Sequence, residues 1–135
     1  MTSHAHGVDA DVLDEENIYE SAKWLKDMAL HLGCVVVCSG KVDVITDGKE
    51  VNLISNGCEM LSRITGTGCM LNVAIATFLA SYSQLLACIK ATCYYEVAAE
   101  KTKCEGPGTF HMHFMDEIYK LTSFDISLFK IEVLG

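Results

Sequence analysis

The chain has 135 residues, half of them hydrophobic, with a single proline and a formal charge of -8. That length suits one domain or a piece of one, and the apolar content argues against disorder. Ten lysines and arginines stand against eighteen acids with no basic cluster, which argues against nucleic acid and anionic membrane surfaces as partners.

In chain order, the first predicted element is an amphipathic helix over residues 11–32. Ile18, Ala22, Leu25, Ala29 and Leu32 recur at three- and four-residue steps, Asp14, Glu15 and Glu16 favour its start, and Gly33 stops it. Residues 34–39, "CVVVCS", form a short β-branched run without polar alternation. Such a run predicts a strand covered on both faces, the kind found in a parallel sheet flanked by helices. A hairpin follows, with strands over 42–46 and 50–55 around Asp47-Gly48.

No charge occurs from Ile64 to Ile89, a length that imitates a membrane span. Gly66, Gly68 and Asn72 occupy its start, however, and "SYSQ" at 81–84 interrupts it. The reading is a buried helix from near Gly68 to Ala80, a break, and a second helix over 83–103 in a soluble protein. "GPG" at 106–108 breaks the chain again, a helix resumes over 109–121 through Phe110, Phe114 and Ile118, and a strand over 129–134 ends the sequence. These elements describe an α/β layered domain, with few strands for helices so apolar.

Seven cysteines at scattered spacing, with no Cys-x-x-Cys pair and no secretory signal in view, predict free thiols in a reducing, cytoplasmic setting. Most read as small buried hydrophobes. His111 and His113 alternate without a third ligand nearby, so no protein-only metal site is assigned.

The stretch "TGTGCMLN", Thr65 to Asn72, carries the chemistry. Glycines allow close approach of a ligand, and the unpaired N–H groups at a helix start make a partly positive anion site. Cys69 falls in the first turn behind them. On spacing alone it reads as a buried structural cysteine.

Several motifs in order sharpen this. "GVD" (Gly7-Val8-Asp9), "SGKVDVITDG", "NGC", "TGTGC" and "GPGTF" together resemble the hydroxyethylthiazole kinase family, over nearly the whole chain. The resemblance implies the C-terminal half of a ribokinase-like fold, a partial layered α/β sheet with flanking helices. It implies transfer of the ATP γ-phosphate, with Mg2+, to the hydroxyl of 4-methyl-5-(2-hydroxyethyl)thiazole in thiamine biosynthesis. Gly66 and Gly68 would form the anion hole, Gly66 would also meet the thiazole, Cys69 would hold the catalytic position, and Ser39 would contact the nucleotide. A homotrimer, or a complementing N-terminal half, is the partner it implies.

The chain departs from the family pattern in three places. Lys41 stands where an acidic residue usually follows "TG", and Cys58 replaces the histidine of "NGH". Family members also continue upstream of "GVD" for about as much chain again, carrying the main thiazole contacts, an arginine on ATP and the acidic magnesium motif. The alternative reading is therefore a non-catalytic remnant that serves as a nucleotide-binding or interaction module.

Overall fold

The computed structural model describes residues 17–120 and 125–135. The "GVD" segment and the first part of the expected opening helix lie outside the described residues.

Helix α1 (Ile18–Leu32) buries Ile18, Ala22, Leu25 and Ala29, the stripe expected from their spacing. Gly33 ends it in the left-handed conformation, its N–H donating to the Ala29 carbonyl. Strands β1 (Val36–Cys38), β2 (Asp43–Thr46) and β3 (Val51–Ile54) follow. A 3-10 turn at Glu59–Arg63 leads to α2 (Thr67–Leu79), then α3 (Gln84–Lys101) and α4 (Pro107–Lys120). A further 3-10 turn precedes β4 (Ile131–Leu134). The "GPG" stretch does not only interrupt the chain. Pro107 is the first residue of α4, where its fixed φ and missing N–H cost nothing.

The sheet corrects one expectation. Its order is β1-β2-β3-β4 and every neighbouring pair is antiparallel, with Val37 opposite Ile45, Asp43 opposite Ile54 and Ile54 opposite Ile131. The apolar run of β1 predicted cover on both faces, and both faces do meet apolar residues. Val36 and Cys38 lie with α1, while Val35 and Val37 lie with the cluster that includes Cys88 and Cys93 of α3. A strand flanked by helices reads as apolar whichever way its neighbour runs, so cover on two faces says nothing about direction. The hairpin return of β2 sets the direction.

The layers follow from the same alternation. Val44, Val51 and Leu53 pack under α1, and Ile45 and Ile54 pack against α3. A third cluster joins Leu71 of α2, Tyr95 and Ala98 of α3, and Phe110 and Phe114 of α4.

Helix α2 also departs from expectation. It is apolar all round, yet Leu71 is its one buried residue, and Val73 is 68% exposed. One side leans on α3, and few of the described residues cover the rest. The cysteines differ in the same way: Cys88 and Cys93 are buried, but Cys34 and Cys69 are exposed and the other three lie between. No helix among the described residues is long and apolar enough to cross a membrane.

An uncovered apolar helix beside a sheet edge favours association. The 135-residue chain by itself is expected to run as oligomers or aggregates in light scattering after size exclusion. A monodisperse, cooperatively unfolding monomer would show that α2 needs no cover.

Candidate functional site

The chain leaves β3 through Asn56 and Gly57, passes the 3-10 turn, and reaches Gly66. Gly66 is the N-cap of α2 with φ +96, a backbone region that side chains rarely tolerate. No side chain caps this helix start. A Cβ built on Gly66 or on Gly68 meets nothing within 4 Å, and both glycines and Cys69 are exposed. Thr67, Gly68 and Cys69 are the first three helical residues, whose N–H groups have no intrahelical acceptor. Open donors, an aligned helix dipole and an exposed thiol thus converge at one spot. Read by spacing, Cys69 should be buried; it is exposed, while Leu71 two residues on is the one that packs against α3.

The turn is held from beneath. The Thr67 hydroxyl donates to the Leu61 carbonyl at 3.0 Å, and the Tyr95 hydroxyl donates to the Thr67 carbonyl at 2.9 Å. Tyr95 is fixed in turn by an edge contact with Phe114, whose ring stacks on Phe110. Sequence reading missed both supports. The threonine inside "TGTGC" looks like filler, and a tyrosine in α3 gives no sign of which carbonyl it will reach.

Ser39 lies on a separate loop. It follows β1, is exposed, and precedes Gly40, whose N–H donates to Asp43 Oδ1 at 2.9 Å. Strands β1 and β3 both run opposite to β2, so Ser39 and Asn56-Gly57 leave the same end of the sheet. The structure gathers Gly66, Gly68 and Cys69 on one helix start. Among the described residues no hydrogen bond joins Ser39 to that turn.

The Asn56-Gly57 corner is the most tightly bonded loop of the region. Asn56 donates to the Leu128 carbonyl at 2.9 Å and accepts from the Lys130 N–H at 2.8 Å. The Gly57 N–H donates to Glu100 Oε1 at 3.0 Å, and Lys130 Nζ pairs with the same carboxylate at 2.8 Å. Cys58, in the place of the family histidine, sets its sulfur 3.6 Å from the Ala99 carbonyl. Burial pushes that thiol up. Among the described residues no three His, Cys, Asp or Glu side chains converge as a cation set, so no residue is assigned to magnesium. His113 donates through Nδ1 to the Lys103 carbonyl at 2.7 Å.

The chain is a layered α/β protein of ribokinase-like fold, with helix α2 starting at an open, glycine-lined turn. The model of the hydroxyethylthiazole kinase family matches residues 1–123, and the chain belongs to that family. It is 36% identical over 137 residues to hydroxyethylthiazole kinase 2 of Clostridium botulinum (strain 657 / Type Ba4), covering 98% of this chain and 51% of that protein. With hydroxyethylthiazole kinase of Pyrococcus furiosus it shares 39% over 131 residues, 95% of this chain and 48% of the relative. The solved structure of hydroxyethylthiazole kinase protein from Pyrococcus horikoshii OT3 superposes with a TM-score of 0.83 at 30% identity, over 90% of this chain and 49% of that one. The chain spans about half the length of the relatives it matches.

Proposed function

We propose that this chain forms the phosphate-binding half of an ATP-dependent kinase acting on the hydroxyl of 4-methyl-5-(2-hydroxyethyl)thiazole, in thiamine biosynthesis. The observation that carries the reading is the start of α2: Gly66 at φ +96, no side-chain cap, and open space where side chains would stand. This geometry fits a phosphoryl group, because backbone donors already aimed at the developing charge need no reorganisation.

ATP, when bound, supplies the phosphoryl group. In transfer, the alcohol oxygen bonds to the γ-phosphorus, the bond to the bridging oxygen of ADP breaks, and the hydroxyl proton leaves. The N–H groups of Thr67, Gly68 and Cys69 would neutralise charge on the equatorial oxygens. Cys69 would face the attacking hydroxyl and accept or relay its proton, Gly66 would leave room for the thiazole, and the Ser39 hydroxyl would bond the nucleotide. Magnesium ligands and the remaining thiazole contacts would come from a complementing N-terminal half. The working form would be a cytoplasmic homo-oligomer, a trimer by family resemblance.

Reconstitution tests this directly. The chain combined with an N-terminal half from a family member is expected to release ADP from Mg-ATP with the thiazole alcohol. It should do so in preference to hydroxymethylpyrimidine or ribose. Preference for either of those sinks the assignment, and nucleotide binding without turnover would mark the non-catalytic module instead.

A further inference from the structure

Tyr95 of α3 is buried, and its hydroxyl donates to the Thr67 carbonyl at 2.9 Å. Its ring meets Phe114 edge-on, 4.9 Å between centroids, in the cluster that also holds Leu71 and Phe110. Burial and then the charge of Glu96 push the phenol above its usual range, so it keeps its proton and stays a donor. The same helix fixes the approach to the turn. Glu100 accepts the Gly57 N–H at 3.0 Å, and a Cβ on Gly57 would stand 1.9 Å from Glu96 Oε2. The stretch 57–67 is thereby held by α3 at both ends.

The Thr67 carbonyl and the Gly68 N–H belong to one planar, trans peptide unit and point in opposite directions. A donor seated under that carbonyl therefore lies directly behind the N–H. The carbonyl oxygen has two lone pairs. As the first residue of α2, Thr67 gives one to the helical ladder, and Tyr95 takes the other. A hydrogen bond at one end of a peptide draws electron density toward the oxygen and makes the N–H at the other end a stronger donor. The Gly66 carbonyl, behind the Thr67 N–H, accepts the Met70 N–H, as any helix start would. Gly68 gains a polarising bond beyond that ladder.

We propose that Tyr95 is a positioning residue for phosphoryl transfer: it aims and polarises the Thr67-Gly68 peptide, so that the Gly68 N–H is the strongest donor of the anion turn. Tyr95 lies beneath the turn and acts through the backbone. A donor already aimed and polarised needs no reorganisation when charge moves during transfer. Its loss lowers kcat more than it weakens the binding of ATP or alcohol. The catalytic consequence rests on the phosphate reading above; the polarised peptide does not.

The chain contains two Thr-Gly pairs, Thr65-Gly66 and Thr67-Gly68. Labelling threonine carbonyls with 13C and glycine nitrogens with 15N therefore leaves only these pairs in a correlation spectrum. Magic-angle spinning spectra of the full chain read them whether or not it associates. In Tyr95→Phe, which keeps the ring against Phe114, the Thr67 carbonyl and the Gly68 nitrogen should both move to lower frequency while Thr65-Gly66 stays in place. Replacing Tyr95 with 3-fluorotyrosine, a stronger donor of nearly the same shape, should move both signals the other way. That replacement decides the matter even if the phenylalanine variant fails to fold. In the reconstituted kinase, Tyr95→Phe should lower kcat on the order of tenfold, with KM for Mg-ATP and for the thiazole alcohol held within about twofold. Thr67-Gly68 signals that ignore both replacements overturn the proposal, and so does a raised KM at unchanged kcat. A reconstituted protein that does not phosphorylate the alcohol sinks the phosphate reading and its catalytic consequence, while the label shifts still decide whether Tyr95 polarises the peptide.

Discussion

In the reconstituted kinase, Gly66→Val is expected to lower turnover by about a hundredfold or more, close to 3 kcal/mol for loss of a preorganised donor set. Valine at φ +96 would have to leave that conformation, and the N–H groups behind it would swing away with the backbone. Gly68 separates the explanations better. It does not have a positive φ, and a side chain there meets nothing within 4 Å. Gly68 is the second residue of α2, so Gly68→Ala should leave the helix as stable or stabilise it by less than the roughly 1 kcal/mol of an interior position. It should nevertheless depress turnover strongly, because the new methyl group stands where the phosphate is placed. Cys69→Ser keeps a polar group at the exposed third position and should cost least. Thermal melts of the chain and a coupled ADP assay read the two effects separately. A Gly68→Ala protein with normal turnover would make the glycine turn a helix start and nothing more.

The second large effect concerns pH. Asp43 and Glu96 have folded values of about 6 and about 9, above the ordinary carboxylate range near 4 that they regain on unfolding. Between those limits the folded chain binds more protons than the unfolded one, so stability falls as pH rises. Their contribution is fully favourable below about pH 4 and is lost by about pH 9, with a cost on the order of several kcal/mol, most of it from Glu96. Asp47, Glu59 and Asp125 act in the opposite sense. Backbone N–H bonds to Asp47, Arg63 beside Glu59, and Ser127 beside Asp125 hold those carboxyls low, so what they add is lost in acid. Thermal unfolding at fixed concentration should show the midpoint dropping from pH 6 to 9. Glu96→Gln should remove most of that slope and gain on the unsubstituted chain as pH rises. Parallel curves for the two proteins would show that Glu96 already ionises in the usual range.

Much of the element order was legible because periodicity is local. The stripe of α1, the two halves of the hairpin and the breaks at Gly33 and before Pro107 are written in neighbouring residues. Strand direction was not, because the apolar run of β1 reports cover and not polarity. Nor was the exposure of α2, which depends on what else is present to lean on it. The glycine turn was legible as a possible anion site through Gly66, Gly68 and Cys69. Its supports were not: Tyr95 and the Asn56 corner act across long sequence separations, and Thr67 reaches back to the Leu61 carbonyl through a turn that has no periodic pattern. Glu96 and Glu100 show the limit most clearly. They are the same residue type one helical turn apart, yet one lies buried under Gly57 and the other is paired with Lys130.

Strand β4 gives the chain an unusual economy. Everything between Ile54 and Ile131, including the glycine turn and helices α2, α3 and α4, is a single excursion from the sheet. Its mouth is closed by the β3–β4 ladder together with the bonds of Asn56 to Leu128 and Lys130. In polymer terms this is a loop whose closure entropy grows only with the logarithm of its length. A few well-placed bonds at the mouth therefore act together with the packing of α3 on Ile45 and Ile54 to hold more than half the chain. Substitutions in Asn56 or β4 open the mouth of that span, so the clasp of this molecule is the place where the span would begin to part from the sheet.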